Sequence, residues 1–309
     1  MRKWAVLWAI MVVLPGVAQH ENDLLFGASA GRATIIQPVP HPVRQMSPVV
    51  GNFVLDVGLD FYFEPDTGLP QLQSCRVQQV WISPGLLGTR SGMGTVFCEA
   101  GCQNYFDLPT RGTPHHHLLF AVNTAGVYVW DVRAVRARDR NGVPLADMDG
   151  VYRIYMVAGT PRRVYGDVVI RSAYQGDPYL RRLTIALRRN GQFLAQQTQP
   201  PNPNAIYPYM VGFTQSGTVD LVAKLEGHLS RRIRGFALTG AHRIDWEFTV
   251  AGDINDDDVI DDADLLQVLL AFGQSGANPA DVNGDGVVDE ADLLVVLFNY
   301  GATGEGSQP

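Results

Sequence analysis

The stretch that decides how this chain is organised is an acidic segment that occurs twice near the C-terminus. Residues 252–273 read GDINDDDVIDDADLLQVLLAFG, and residues 280–301 read ADVNGDGVVDEADLLVVLFNYG. At an offset of 28 residues the two segments agree at 12 of 22 positions, so the chain contains an internal duplication. Each copy has Asp, Asn and Asp at alternate positions and closes with Asp at position twelve.

This spacing predicts one calcium site in each copy. Calcium takes about 6–8 oxygen ligands, and a tightly curled loop can direct the side chains at positions one, three and five to one centre. Position seven gives its backbone carbonyl, position nine usually acts through a water, and position twelve returns from the following helix. The predicted ligands are Asp253, Asn255, Asp257, Val259, Asp261 and Asp264 for one ion, and Asp281, Asn283, Asp285, Val287, Asp289 and Asp292 for the other.

Position six of the loop needs a left-handed backbone, which Gly286 permits in the second copy. Asp258 takes this place in the first copy, and Asp tolerates that backbone region better than most residues. The alternative interpretation is a solvated acidic linker. It does not explain the two-residue spacing or the Asn in the same position of both copies, and it leaves seven Asp in residues 253–264 to repel one another.

The net charge of −7 averages over unlike parts of the chain. Residues 251–309 hold 13 of the 31 acidic residues and no Lys or Arg, whereas the preceding part has 24 basic and 18 acidic residues. A hydrophobic content of 46% excludes wholesale disorder. Only residues 4–18 form a long apolar run, which excludes a multi-span membrane protein. The 309 residues are ample for two or three domains.

The acidic repeats are loop–helix units without a preceding helix, because residues 244–250 (IDWEFTV) alternate like a strand. The paired units, the Gly-Asp entry and the helix stops Gly273 and Gly301 resemble a type I dockerin over residues 252–302. The resemblance implies a small all-α calcium-binding module, here residues 251–302, that docks a secreted protein onto a cohesin module, often in polysaccharide-degrading complexes.

The same resemblance implies that loop positions ten and eleven touch the partner. Cellulosomal dockerins have small hydroxyl or aliphatic residues there, whereas this chain has one acidic residue in each pair, as in dockerins from bacteria without cellulosomes. The two helices are apolar on nearly all sides, so some of their surface must meet a partner or the neighbouring domain. The predicted partner-binding residues are Asp262, Ala263, Glu290 and Ala291.

Two β-rich regions precede the repeats and predict two tandem β-sandwich domains. In residues 49–160 apolar and polar residues alternate between Gly- and Pro-containing turns. The stretches LDVGLDFYFEP and GTPHHHLLF followed by AGVY resemble a bacterial surface-anchored Ig-like domain. Residues 161–250 alternate likewise, with a turn at Asn190-Gly191. The segments GDVVIRSAY, LTIALRRNG and IDWEFTV resemble a carboxypeptidase-regulatory-like, prealbumin-type domain.

The N-terminus predicts export. A basic start and a short apolar run lead to small residues, which is typical of a signal peptide over residues 1–18 cleaved after Ala18. The alternative is an uncleaved anchor helix, for which the run is short. The expected location is therefore secreted or cell-surface, with no membrane span after cleavage. Residues 19–48 are expected to be an extended segment and residues 303–309 a disordered tail.

The cysteines and histidines allow several interpretations. In an oxidising compartment Cys75, Cys98 and Cys102 predict one disulfide and one free thiol, without fixing the pairing. His115 and His117 would lie on one side of a strand, where they either chelate a metal or simply form hydrogen bonds, and we expect the second. A zinc site that joins them to Cys98 and Cys102 is the further alternative.

Residues 20–250 contain no catalytic constellation that the sequence reveals. Neither a Gly-x-Ser-x-Gly nor a His-Glu-x-x-His motif occurs, and neighbouring carboxylates do not establish a glycosidase pair. We therefore expect an exported, non-catalytic modular protein that binds two calcium ions and docks to a cohesin-like module or a cell-surface component. The alternative is a polysaccharide-binding or polysaccharide-degrading protein that its dockerin delivers. Nucleic acid is not an expected partner of an exported acidic chain.

Overall fold

The computed structural model describes residues 23–36, 43–108 and 115–306. The chain forms two compact units, Met1–Thr160 and Pro161–Pro309. The predicted signal peptide, residues 1–18, lies outside the described residues. Among the described residues, no helix has the length and apolar character needed to cross a bilayer.

The first unit is built from 11 strands in one continuous sheet with the order β7-β6-β9-β4-β3-β11-β10-β5-β8, to which the hairpin β1-β2 is added through a parallel pairing of β1 with β4. This hairpin lies in the predicted extended segment 19–48. The strands are β1 (Leu24–Ser29), β2 (Arg32–Ile36), β3 (Val43–Val49), β4 (Asn52–Phe61), β5 (Leu72–Ile82), β6 (Leu87–Arg90), β7 (Gly94–Phe97), β8 (Tyr105–Leu108), β9 (His116–Val122), β10 (Gly126–Asp139) and β11 (Tyr152–Ala158).

The alternation of apolar and polar residues explains why these segments are strands. In β4, Val57 and Leu59 are fully buried in the core. The centre of this core is Trp130, whose ring centroid lies 5.0 Å from that of Phe97 and 4.7 Å from that of Phe120. Tilted aromatic contacts of this kind stabilise a sheet core beyond simple burial.

The second unit holds the remaining strands in four smaller sheets, with the orders β16-β12-β20, β13-β21, β15-β14-β17-β19 and β18-β22. Its elements are β12 (Arg162–Gly166), β13 (Val168–Ile170), β14 (Leu183–Arg189), β15 (Gln192–Gln199), β16 (Tyr209–Phe213), β17 (Gly217–Leu225), β18 (Gly227–His228), β19 (Arg231–Leu238), β20 (Ala241–Arg243), β21 (Trp246–Phe248), β22 (Ala251–Asp253), α1 (Asp262–Ala271) and α2 (Glu290–Phe298). A 3-10 turn spans Pro178–Leu180.

The β-rich part of the predicted fold agrees with the structure, but the prediction of a separate all-α module at residues 251–302 is wrong. The segment begins with β22, which pairs with β18, and its helices comprise only 10 and 9 residues. Its core contains Leu229 and Ala251 beside Val268 and Val296. The repeat shares this core with the β-strands before it, because two short helices cannot enclose a core of their own.

Residues 303–306, which the sequence assigned to a disordered tail, are hydrogen-bonded to the repeat and to the strands before it. Thr303 forms a β-bridge with Val259. The Glu305 amide donates to the Ser230 carbonyl at 3.0 Å, and the Gly306 amide donates to the Ser230 hydroxyl at 2.7 Å. The chain therefore returns to the β-sheet after the second helix.

A buried ion pair lies between β10 and β11, where Asp131 stands directly opposite Arg153. The guanidinium donates through Nε and Nη2 to the two carboxylate oxygens at 2.8 and 2.7 Å, and neither side chain is exposed to solvent. Such a bidentate pair fixes the register of the two strands. Removing one partner leaves the other charge buried without a counter-ion.

We therefore expect Asp131→Asn to lower the free energy of unfolding of the first unit by about 3–5 kcal/mol, because Arg153 loses its counter-ion. Urea unfolding monitored by tryptophan fluorescence measures the change. The matched control is Asp107→Asn, which breaks the partly exposed pair with Arg76 and is expected to cost less than about 1 kcal/mol. Equal losses in the two variants would contradict the assignment.

Candidate metal centre

The two acidic loops follow the same backbone path. At loop position four Asp256 has φ +61° and Gly284 has φ +75°, and at position six Asp258 has φ +72° and Gly286 has φ +95°. All four residues are therefore in the left-handed region, which turns the backbone sharply twice within each loop. This is the tight curl that brings loop side chains toward one centre.

The carboxylate at position twelve closes each loop from the start of the following helix. Asp264 is buried, and its Oδ1 accepts hydrogen bonds from the amides of Ile254 at 2.7 Å and Asn255 at 3.2 Å. Its Oδ2 accepts from the Asp261 amide at 3.0 Å, which completes a capping box at the N-terminus of α1. Asp292 is buried in the same way and accepts at 2.7, 2.9 and 2.9 Å, so both copies share this arrangement.

The residues at positions three and five form a second shared network. Asn255 Oδ1 accepts from the Asp257 amide at 3.0 Å, and Asn255 Nδ2 donates to Asp257 Oδ2 at 2.8 Å. The corresponding distances between Asn283 and Asp285 are 2.8 and 3.0 Å. These Asx turns restrict the side chains at positions three and five in the same way in both loops.

Position one is where the two loops differ. Both carboxylate oxygens of Asp281 accept loop amides, from Gly284 at 2.8 Å and Gly286 at 2.9 Å. In the first loop Asp253 Oδ2 likewise accepts from the amide at position six, that of Asp258, at 2.9 Å. It also accepts from the ammonium of Lys224 on β17 at 2.5 Å. A lysine from the neighbouring sheet thus supplies a positive charge to the first loop.

Asp256 and Asp258 attach the first loop to the sheet. Lys224 Nζ lies 3.2 Å from Asp256 Oδ1, which also accepts from the Gly227 amide at 3.0 Å. The carboxylate of Asp258 accepts from the amide and the hydroxyl of Ser230 at 2.7 and 2.6 Å. Lys224, Asp256, Asp258 and Ser230 line one wall of a cavity of about 590 Å³, beside the outer face of the sheet. Sequence reasoning missed this attachment, although Asp in place of Gly at positions four and six was its signal.

The second loop is attached to residues before β14. The Gln175 amide donates to the Asn283 carbonyl, and Arg181 Nη2 donates to the Asp281 carbonyl, each at 2.6 Å. A Cβ atom at Gly284 would lie 2.5 Å from the backbone nitrogen of Gly176. Glycine is therefore required at position four of this loop by a close backbone approach as well as by its dihedral angle.

The chemistry of the donor set fits calcium, since both loops offer carboxylate, amide and carbonyl oxygens. Asp253 Oδ1 is buried and has no hydrogen-bond partner within the described residues. Burial raises the pKa of Asp253 to about 6, although Lys224 opposes the shift. Burial also raises the pKa of Asp292 above its ordinary value. A divalent cation would compensate the desolvation of these carboxylates.

The carboxylates are not gathered around one point in this structure. Within residues 23–36, 43–108 and 115–306, no group of three or more His, Cys, Asp or Glu side chains is arranged to hold a metal ion. Oxygens of Asp257 and Asp264 accept hydrogen bonds from backbone amides of the loop. Binding an ion at the predicted positions would exchange some of these bonds for metal–oxygen contacts.

The other predicted residues lie near the loops as follows. Val259 stands opposite Thr303 between the hydrogen bonds of Asp258 and Ile260, so the bridge does not use its carbonyl. Asp261 caps α1 by accepting from the Ala263 amide at 2.8 Å. In the second copy, Asp289 caps α2 in the same way, and Val287 forms a bridge with Ser275. The predicted partner-binding residues Asp262, Ala263, Glu290 and Ala291 are all exposed in the first turns of the helices.

The helices following the loops expose most of their large apolar side chains. Among the hydrophobic residues of α1 and α2 only Val268 and Val296 are buried. The exposed side chains occupy matching positions of the duplication, and Leu270 and Phe298 are the most accessible at 73% and 83%. We call this set the apolar helix face, and its members are Leu266 and Leu294, Leu269 and Leu297, Leu270 and Phe298, and Phe272 and Tyr300.

Comparison with known proteins gives only weak similarities. No family model and no curated protein matches the chain. The chain is similar to two type II cohesin–X-dockerin complexes from Acetivibrio cellulolyticus, mutated at the N-terminal or C-terminal interface. Each is 18% identical and covers 47% of this chain and 97% of the other, with TM-scores of 0.36 and 0.34. The Bacillus anthracis TIE protein is 7% identical over 69% of this chain and 39% of the other, with a TM-score of 0.22. Values this low do not identify a family.

Lys224→Met is expected to lower the stability of the second unit more in the absence of calcium than in its presence. The substitution leaves Asp253 buried without its counter-ion, which costs about 3–5 kcal/mol. A bound calcium ion would supply the missing positive charge and reduce that loss. Urea unfolding of the variant and the unmodified chain, with chelator and with saturating calcium, measures both values.

The control for this prediction is Arg171→Met, which breaks an exposed pair with Glu247 in the same unit. Its expected cost is below about 1 kcal/mol in either condition. An equal loss of stability for Lys224→Met with and without calcium would contradict the prediction. It would show that no calcium ion replaces the positive charge of Lys224 beside Asp253.

Proposed function

We propose that the acidic repeat binds two calcium ions and that the chain is an exported, non-catalytic protein that docks through its two C-terminal helices. The proposed partner is a cohesin-like protein module, presented by another protein or by a component of the cell surface. The observation that carries the proposal is the apolar helix face, which is exposed and duplicated. The type I dockerin resemblance of residues 252–302 supports the same role.

The exposure of the apolar helix face supports docking, because contact of large apolar side chains with water is unfavourable and a bound partner would remove it. Clusters of exposed large apolar side chains on a soluble protein often mark interaction sites. Here the exposed leucines and aromatics recur at an offset of one repeat, as Leu269 and Leu297 do. The duplication therefore presents two similar apolar surfaces to a partner.

Calcium would act on docking through the loops that precede the helices. Each helix begins at the capping aspartate of a loop, and the buried carboxylate of Asp264 or Asp292 joins that helix to the loop entry. An ion held by the loop would fix the direction of the helix and hence the position of its apolar side chains. Tyr300 adds a link between the copies, because its hydroxyl donates to Asp262 Oδ1 at 2.6 Å.

The metal part of the proposal is tested by calorimetric titration of the full chain with calcium after chelator treatment. We expect two calcium ions per chain, one fewer for Asp285→Ala, and none for Asp257→Ala combined with Asp285→Ala, because a ligand at position five is lost. Asp262→Asn is the control, since its carboxylate lies outside the predicted ligand set, and it should retain both ions. No calcium uptake by the unmodified chain would end the proposal.

The docking part is tested by capture from the extracellular fraction of the source organism. The unmodified chain, saturated with calcium, should retain a specific protein that chelator releases. Leu269→Glu combined with Leu297→Glu should abolish capture while both calcium ions still bind, because the change places charge in the apolar helix face and leaves the loops intact.

The matched control for capture is Val143→Glu combined with Leu69→Glu, which introduces the same charge at two exposed apolar residues of the first unit. It should capture the partner as well as the unmodified chain does. Retention of the partner by the Leu269→Glu, Leu297→Glu variant would show that docking uses another surface.

A further inference from the structure

A second candidate site lies in the first unit, where His115 and His117 meet. Their Nε2 atoms are 2.9 Å apart, and the ring centroids are separated by 4.5 Å. The other nitrogen of each ring faces a carboxylate of β4. His117 Nδ1 lies 2.9 Å from Asp56 Oδ1, and His115 Nδ1 lies 3.2 Å from Asp60 Oδ2.

The carboxylates determine which nitrogen of each ring carries hydrogen. An ionised carboxylate only accepts hydrogen bonds, so Nδ1 of each histidine must donate to its aspartate. In a neutral imidazole the Nε2 atom then carries a lone pair. The lone pairs of His115 Nε2 and His117 Nε2 are then on atoms only 2.9 Å apart, which is repulsive unless a cation lies against both.

We propose that His115 and His117 bind one divalent transition-metal ion through their Nε2 atoms, with Asp60 and Asp56 as positioning residues. Imidazole nitrogen suits zinc, copper and nickel. Metal–nitrogen bonds of about 2.0–2.1 Å at a right angle place two nitrogens roughly 2.9 Å apart. The observed separation is thus that of two adjacent ligands of a tetragonal or octahedral ion.

The carboxylates complete the arrangement expected around metal-binding histidines. Such histidines almost always donate their second ring hydrogen to a carboxylate, carbonyl or water, which fixes the tautomer and raises the basicity of the ligand. Both rings here have that partner, and His115 Nδ1 also lies 3.9 Å from the buried Asp23. Three carboxylates thus surround two rings, which favours a cation between them.

A glycine in the facing strand leaves space for the two histidine rings. Gly58 of β4 stands directly opposite His117 of β9 and lies between Asp56 and Asp60 on the same face of the strand. A Cβ atom at Gly58 would lie 2.0 Å from Asp23 Oδ1 and 3.1 Å from His115 Cε1. A side chain at this position would displace the carboxylate and the ring from the site.

The site is accessible from solvent, since 43% of the His117 side chain and 26% of the His115 side chain are exposed. The protein supplies two donors, so water or a small ligand would fill the remaining positions of the ion. The cysteines of the alternative zinc site are not available as ligands, because Cys98 and Cys102 form a disulfide. The remaining thiol, Cys75, is buried, and burial raises its pKa well above the usual value.

Calorimetric titration of the tag-free full chain with nickel, in saturating calcium to exclude the acidic loops, tests this proposal. We expect one nickel ion per chain for the unmodified protein and no binding for His117→Gln. Asp56→Asn should weaken binding about 10–100-fold, as the loss of a supporting carboxylate does at other metal sites. Copper added in place of nickel should show two nitrogen ligands by electron paramagnetic resonance.

The control is His116→Gln, in the same tripeptide but on the opposite face of the strand. The His116 ring lies 5.3 Å from that of Phe106, and its Nδ1 is 3.0 Å from Arg90 Nη2, so it does not reach the site. This variant should bind one nickel ion with unchanged affinity. Absence of nickel binding by the unmodified chain would overturn the proposal, and the cation between the rings would then be a shared proton. Equal nickel binding by His117→Gln and the unmodified chain would also overturn it.

Discussion

A buried aspartate at the end of each acidic loop is the constraint on which the C-terminal part of this protein depends. A carboxylate out of contact with water is tolerated only when its oxygens accept hydrogen bonds or meet a cation. Asp264 and Asp292 each accept hydrogen bonds from three backbone amides, two at the loop entry and one at the N-cap residue of the helix. This requirement fixes both the curl of the loop and the point at which the helix begins.

The duplication makes the loops alike, but their surroundings make them unequal. Asp256 and Asp258 in the first loop replace the glycines of the second, and both carboxylates bind groups of the neighbouring β-strands. Lys224 contributes its charge to the first loop only. The first loop is therefore held through its own carboxylates, whereas the second is held through its backbone carbonyls, by the Gln175 amide and the Arg181 guanidinium. The proposed calcium sites should differ accordingly in affinity.

Local periodicity predicted the strands and the two loop–helix units, because alternation and loop spacing are properties of neighbouring residues. It did not predict that the repeat shares a core with the strands before it, since the cluster that contains Leu229, Val268 and Val296 joins distant parts of the chain. The predicted all-α module was wrong for this reason. For the candidate metal centre, the sequence predicted which residues occupy loop positions one to twelve. The attachment through Lys224 and Ser230, and the carboxylates behind His115 and His117, depended on strand pairing.

The central claim is that both acidic loops are calcium sites, and the most direct measurement is the anomalous difference density of crystals of the full chain grown with calcium. We expect two peaks, one in each loop, with carboxylate oxygens at about 2.3–2.6 Å from each ion and Asp253 Oδ1 among them. Two loops without density, with the Lys224 ammonium still bound to Asp253, would contradict it.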